Sequence, residues 1–173
     1  MAEYRMLDNI KAHSIMVARV ARLLAAGQVS TELDMDLIIA GALLHDIAKT
    51  QCLDSNRNHA LEGEEIVLKH GYDELAEIVA EHVILGRTIP GIIVEKQIVY
   101  YADKRVNHDK VVSLEERLAY ILDRYGRDNP ARHQAIMVNF GKCQALEKEI
   151  FIRLDFAPTD VAVLLENDGG LDE

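Results

Sequence analysis

Leu37-Ile38-Ile39-Ala40-Gly41-Ala42-Leu43-Leu44-His45-Asp46 is an apolar run that ends in an imidazole and a carboxylate. A helix apolar on every side belongs in the middle of a protein. The run therefore carries His45 and Asp46 into or beside the core. Polar groups there are costly unless they are paired, hydrogen-bonded or bound to a metal.

Outward from this run, the apolar periodicity is helical almost throughout, and no convincing strand alternation is found. The expected fold is an all-α, single-domain bundle of about seven helices spanning residues 1–173. Its metal-binding core covers about 8–125, and a helical extension covers about 129–166. Asp8 is expected to cap a first helix ending at Gly27, and Ser30 or Thr31 a second running to about Lys49. Asn58 caps a third that stops at His70-Gly71, and a fourth runs from Asp73 to Ile84. A fifth covers Ile93 to Val106. Ser113-Leu114-Glu115-Glu116 is a capping box for a sixth ending near Gly126. Asn129-Pro130 opens a seventh that reaches Leu154, and Thr159 to Glu166 is a short last helix. The segments 50–58, 85–92 and 107–112 are expected loops.

Four further polar residues fall where helices should be buried. His13 shares a stripe with Ile10, Val17, Val20 and Leu24. His59 aligns with Gly63, Ile66 and Val67, and His82 with Leu75, Ile78 and Val79. Asp103 stands one turn after Val99. A lone buried histidine is ordinarily a core residue bonded to backbone. Imidazoles and carboxylates converging on one point, however, repel or desolvate one another without a cation. Four His and two Asp form an N/O donor set, suited to iron, manganese, zinc, cobalt or nickel rather than calcium. Six side chains exceed the four of a structural zinc site, which makes two ions sharing a ligand the natural arrangement. A second His-Asp pair, His108-Asp109, lies in a polar stretch and is read as a solvated loop.

The bulk numbers narrow the function classes. Net charge is −10 and the pI about 5.1, which argues against broad nucleic-acid binding. A small anionic substrate stays compatible, because bound cations dominate a local field. Cys52 and Cys143 form no CxxC pattern, so a disulfide framework is not expected and a reducing cytoplasm is. The apolar run is too short for a membrane span. The C-terminal Phe140, Phe151 and Phe156 either finish the core or make a homodimer face.

The order His13, His45-Asp46 after an apolar helix, then Asp103 in Tyr101-Ala102-Asp103, resembles the HD superfamily of metal-dependent phosphohydrolases. Gly41 to Lys49 is similar to that family's central motif, with Ala48 where the HDIG subgroup has Gly. His59-Ala60-Leu61-Glu62-Gly63 and Glu81-His82 resemble the regions of the two extra histidines of dinuclear members. The resemblance covers about residues 8 to 125. It implies that His13, His45, Asp46 and Asp103 hold one ion, and that Asp46 bridges to a second held by His59 and His82. It also implies one or two divalent ions, iron or manganese first, with zinc, nickel, cobalt and magnesium as alternatives. The implied activity is hydrolysis of a phosphoester or phosphoanhydride in a nucleotide or related small molecule by a metal-activated hydroxide. The alternative is a non-catalytic HD module that binds a nucleotide or metal in signalling. Bacterial hydrolases of symmetrical dinucleoside tetraphosphates are similar, but Val83 stands where those have Thr, and the Gly-Tyr-Pro signature of cyclic-dinucleotide phosphodiesterases is absent.

Lys49, one turn beyond Asp46 and His45, is expected to assist catalysis or contact phosphate. Arg87, Lys104 and Arg105 are further expected phosphate contacts. Glu62 and Glu81 are candidates to orient the histidines from behind. His70 is expected to cap its helix and His133 to lie on the surface.

Overall fold

The computed structural model describes residues 1–28, 32–55 and 57–167. It is all-α apart from one minimal hairpin. The helices are α1 (Asp8–Ala26), α2 (Met35–Leu44), α3 (Lys49–Cys52), α4 (His59–Lys69), α5 (Asp73–Glu81), α6 (Glu95–Lys104), α7 (Leu114–Ile121), α8 (Pro130–Phe151) and α9 (Val161–Asn167). Strands β1 (Val106–Asn107) and β2 (Lys110–Val111) pair antiparallel, and a π-helical turn (Leu122–Gly126) continues α7. No described helix is long and apolar enough to cross a membrane.

Helix α1 lies at the centre, packed on α2, α6 and α9. Its buried face holds Ile10, His13, Val17, Val20 and Leu24, the stripe read from sequence. Asp8 is not its cap: it is the first helical residue, and Leu7 precedes the helix with its N–H donating to Thr50 Oγ1. Asp34 caps α2 by accepting from the Leu37 N–H. The expected caps Ser30 and Thr31 lie outside the described residues. Asn58, Ser113 and Asn129 cap α4, α7 and α8 as read.

The second helix ends five residues earlier than the pattern implies. From His45 to Ala48 the chain forms a tight turn, with Ile47 N–H donating to Leu44 O and Lys49 N–H to Asp46 O, each at 2.9 Å. Neighbouring residues in an α-helix point about 100° apart. Leaving the α-helix lets His45 and Asp46 aim at one place. Ala48 sits at φ −92° in this turn, so the Gly-to-Ala replacement meets no backbone obstacle. Residues 50–52, expected as loop, belong with Lys49 to the helical turn α3.

Two glycines set helix distances around this turn. A Cβ at Gly41 would stand 2.7 Å from Ile78 Cγ2, and one at Gly63 2.7 Å from Val79 Cγ1. Both α2 and α4 therefore approach α5 closely. Gly71, at φ +79°, ends the α4 segment. The C-terminal α8 buries Phe140, Cys143, Leu146 and Ile150 at 3–4 spacing. Phe151 packs edge-on between Tyr101 and Phe156, so these aromatics complete the core.

Candidate metal centre

Six helix-borne side chains meet under the α2–α3 turn. His13 comes from α1, His45 and Asp46 from the turn, His59 from the start of α4, His82 from the end of α5 and Asp103 from α6. Asp46 is central. Its Oδ1 lies 3.3 Å from His59 Nε2 and 3.4 Å from His82 Nε2, and its Oδ2 lies 3.4 Å from His45 Nε2. Asp103 Oδ1 is 2.9 Å from His13 Nε2 and 3.8 Å from His45 Nε2. Two groups suited to an ion result, His13 with His45 and Asp46, and His59 with His82 and Asp46. All but His59 are buried.

Backbone carbonyls fix the rings. His45 Nδ1 donates to Ala42 O at 2.7 Å, His82 Nδ1 to Val79 O at 2.6 Å and His13 Nδ1 to His108 O at 2.8 Å. With Nδ1 held by a carbonyl, each ring turns its Nε2 to the centre. His59 Nε2 and His82 Nε2 face each other at 3.2 Å. His45 Nε2 and Asp46 Oδ1 are buried with no hydrogen-bond partner. Such orphaned lone pairs are costly in a protein interior, and a divalent cation satisfies all of them at once. The donor set therefore fits one or two ions. The orienting carbonyl for His13 comes from the hairpin turn, where His108 adopts φ +57°, a backbone state that most side chains avoid. His108-Asp109 is an exposed turn, as read, yet its backbone serves the site.

Burial raises the Asp46 carboxyl, but the nearby His45 and Lys49 outweigh it and hold it well below the usual carboxylate range. Burial likewise raises Asp103, and Lys104 with His13 and His45 holds it well below. Burial pushes His82 down to about 4, so this ring is neutral and open to a metal at ordinary pH.

The cluster forms the floor of a cavity of about 660 Å³. Among the described residues its lining cations are Lys49, Arg57, Lys104, Arg117, Arg124 and Arg132, and its only lining carboxylates are Asp46 and Asp103. In a chain of net charge −10, this is a local reversal of sign that suits an anion. Lys49 donates to Asp46 Oδ2 at 2.6 Å and is one-third exposed toward the cavity.

Several expectations fail here. Arg105 is buried and faces away, spending its guanidinium on Val112 O, Tyr101 Oη and Pro158 O. Arg87 is exposed on the 85–92 loop and does not line the cavity. Lys104 reaches the cavity, but its ammonium is taken by Asp103 Oδ2 at 2.8 Å and His82 O at 2.7 Å. It supports the cluster rather than a substrate. Glu62 pairs with Arg57, and Glu81 with Lys96 and the Gly86 N–H, so neither orients a histidine. His70 closes α4 and bonds Tyr4 Oη, and His133 is exposed. Sequence reasoning missed Arg117, Arg124 and Arg132. Arg117 and Arg124 are seven residues apart, but Arg132 stands on a separate helix beyond the 127–129 break, so no local spacing links the three.

A family model described as HD domain matches residues 10–128. The chain belongs to the HD-domain family. Among similar proteins, an uncharacterized protein of Methanocaldococcus jannaschii is 28% identical over 149 residues, covering 76% of this chain and 86% of the relative. Two relatives are named tRNA (cytidine(56)-2'-O)-methyltransferase. That of Picrophilus torridus is 34% identical, covering 56% of this chain and 30% of the relative. That of Thermoplasma volcanium is 32% identical, covering 63% and 35%. The HD-domain chain thus spans about a third of those two proteins. No solved structure matches. The His/Asp cluster of this HD domain is of a type that binds divalent metal.

Proposed function

We propose that this HD-domain protein is a metal-dependent phosphohydrolase acting on a nucleotide or a related small phosphate compound. The observation that carries the reading is Asp46, whose carboxylate is shared by two histidine pairs on the floor of a basic cavity. When bound, divalent ions supply an activated water and neutralise charge on phosphoryl oxygens. His13, His45, Asp46 and Asp103 would hold one ion; Asp46, His59 and His82 would hold the other. Iron and manganese are the first candidates for an N/O site of this kind.

The chain's own residues do the rest. The Ala42, Val79 and His108 carbonyls hold three Nε2 lone pairs on target. Lys104 balances Asp103. Lys49 keeps its proton: burial lowers its affinity, but Asp46 and Asp103 raise it further. It can therefore touch a phosphoryl oxygen as a cation. Arg117, whose Nη1 donates to Asn107 Oδ1 at 2.8 Å and whose Nη2 lies 4.0 Å from Asp103 Oδ1, adds a further positive charge facing the same phosphate.

The methyltransferase name of two relatives is not carried over. The likeness covers about a third of each, and a net charge of −10 does not favour a polyanion as large as tRNA.

Elemental analysis of protein purified without an affinity tag or chelator, with a nucleotide and phosphoester panel, tests the proposal. About two equivalents of metal and turnover of a panel member are expected. His45→Ala and Asp46→Ala should each lose metal and activity together. Full metal content and full activity in either variant would refute the assignment.

A further inference from the structure

Helices α7 and α8, joined through the π-turn, present two stripes to the cavity. Arg117, Tyr120 and Arg124 recur at i, i+3 and i+7, and Arg132, Ile136 and Phe140 at i, i+4 and i+8. Spacings of three, four and seven put side chains on one face, and all six residues line the same space. The wall has a direction. Its inner end is Arg117, against Asp103. Seven helical residues rise about 10 Å, so Arg124 stands about that far along the wall from the cluster.

Arg124 and Arg132 lack what their neighbours have. Arg57 is paired with Glu62, and Arg127 with Asp123. No carboxylate among the described residues pairs with Arg124 or Arg132; Arg124 Nε donates only to Tyr125 Oη, at 3.2 Å. Two guanidinium groups thus face one cavity without a counter-charge, beside a surface made apolar by Ile136 and Phe140. A lone phosphate at the cluster fills a small part of about 660 Å³, a volume typical of sites that enclose a whole small molecule.

We propose that Arg124 and Arg132 are specificity-determining residues that grip a second anionic group of the substrate. That group lies within about 10 Å of the reacting phosphorus, and Tyr120, Ile136 and Phe140 cover the body between them. This rests on the reading of the cluster as the reacting end of the site. The ligand class is a small organic compound with two separated anionic groups and an apolar or aromatic body. Arg132, Ile136 and Phe140 lie beyond residue 128, where the family match ends. This half of the wall is therefore a feature of the chain outside its shared core.

The test compares two non-hydrolysable probes by calorimetry on Mn²⁺-saturated protein: benzylphosphonate, with one anionic head, and p-xylylenediphosphonate, with two across an aromatic ring. The parent protein should bind the diphosphonate about tenfold more tightly, as an added charge-assisted guanidinium contact provides. The double variant Arg124→Gln/Arg132→Gln should lose that preference while keeping its Mn²⁺ content and its affinity for benzylphosphonate. Equal affinity for both probes in the parent protein, or a preference retained in the double variant, overturns the proposal. Turnover of phosphoesters without the preference would remove this inference alone. The preference without turnover of any phosphoester would remove the hydrolase reading and leave this one standing.

Discussion

Lys104→Met asks whether the cation beside Asp103 serves the fold or the substrate. Lys104 is 4% exposed. Its ammonium donates to Asp103 Oδ2 at 2.8 Å and to His82 O at 2.7 Å, and lies 4.6 Å from the centre of the Tyr100 ring. Methionine keeps much of the stem and deletes the charge. The His82 carbonyl loses a donor, and Asp103 loses the neighbour that does most to offset its burial. Breaking a buried pair by removing one partner costs about 3–5 kcal/mol. For a chain of this size each kcal/mol lowers Tm by about 2–4 °C, so the metal-free variant should melt roughly 6–20 °C below the parent. Added Mn²⁺ supplies positive charge to the same carboxylates and should narrow the gap. Scanning calorimetry with and without Mn²⁺ measures both effects. A metal-free variant that melts within about 1 °C of the parent, with a raised KM once it is loaded with Mn²⁺, would refute the reasoning and return Lys104 to the substrate.

Gly63→Ala sets a helix-propensity gain of about 1 kcal/mol against overpacking of about 1–3 kcal/mol. The new Cβ would meet Val79 Cγ1 at 2.7 Å and Ile47 Cγ2 at 3.4 Å. The expected result is a net loss of stability and, because α4 is pushed off α5 and carries His59 from His82, weaker uptake of the second ion. An unchanged Mn²⁺ titration would show that this contact does not position His59. The metal-free protein should also lose stability as pH falls from 6.5 to about 4, because buried His82 resists protonation until about 4 while the unfolded chain takes its proton near 6.5. In that window the unfolded state binds more protons, a loss on the order of 3 kcal/mol by its lower end. The raised His45 contributes its full stabilisation throughout the window, and Asp46 and Asp103 act below 3.8. Chemical denaturation that is flat between pH 6.5 and 4.5 would contradict this account of His82.

Much of the site was legible because each member stands on a locally readable stripe. His13 follows Ile10 and precedes Val17, and His82 follows Ile78 and Val79, so helical period alone turns these rings inward. The arginines resisted the same reading. Arg105 stands two residues after Asp103 but points to Val112 and Pro158, because helical residues two apart diverge by about 200°. Arg117, Arg124 and Arg132 were not singled out, since nothing local marks a face that is polar for a ligand rather than for water. Glu62 and Glu81 were credited with work that backbone carbonyls perform, and carbonyls leave no mark in a sequence.

By itself the sequence determined the all-α class, the caps at Asn58, Ser113 and Asn129, and the six residues that seek the interior, because propensity, capping and amphipathic period act within a few turns of chain. Only the tertiary structure decided that His13 meets Asp103 across 90 residues, that Asp46 lies between two histidine pairs, and that α8 brings Arg132 to the same cavity. Those facts depend on how close the helices pack and in what register, set here by Gly41 and Gly63 against α5 and by a turn in place of a helix at His45-Asp46.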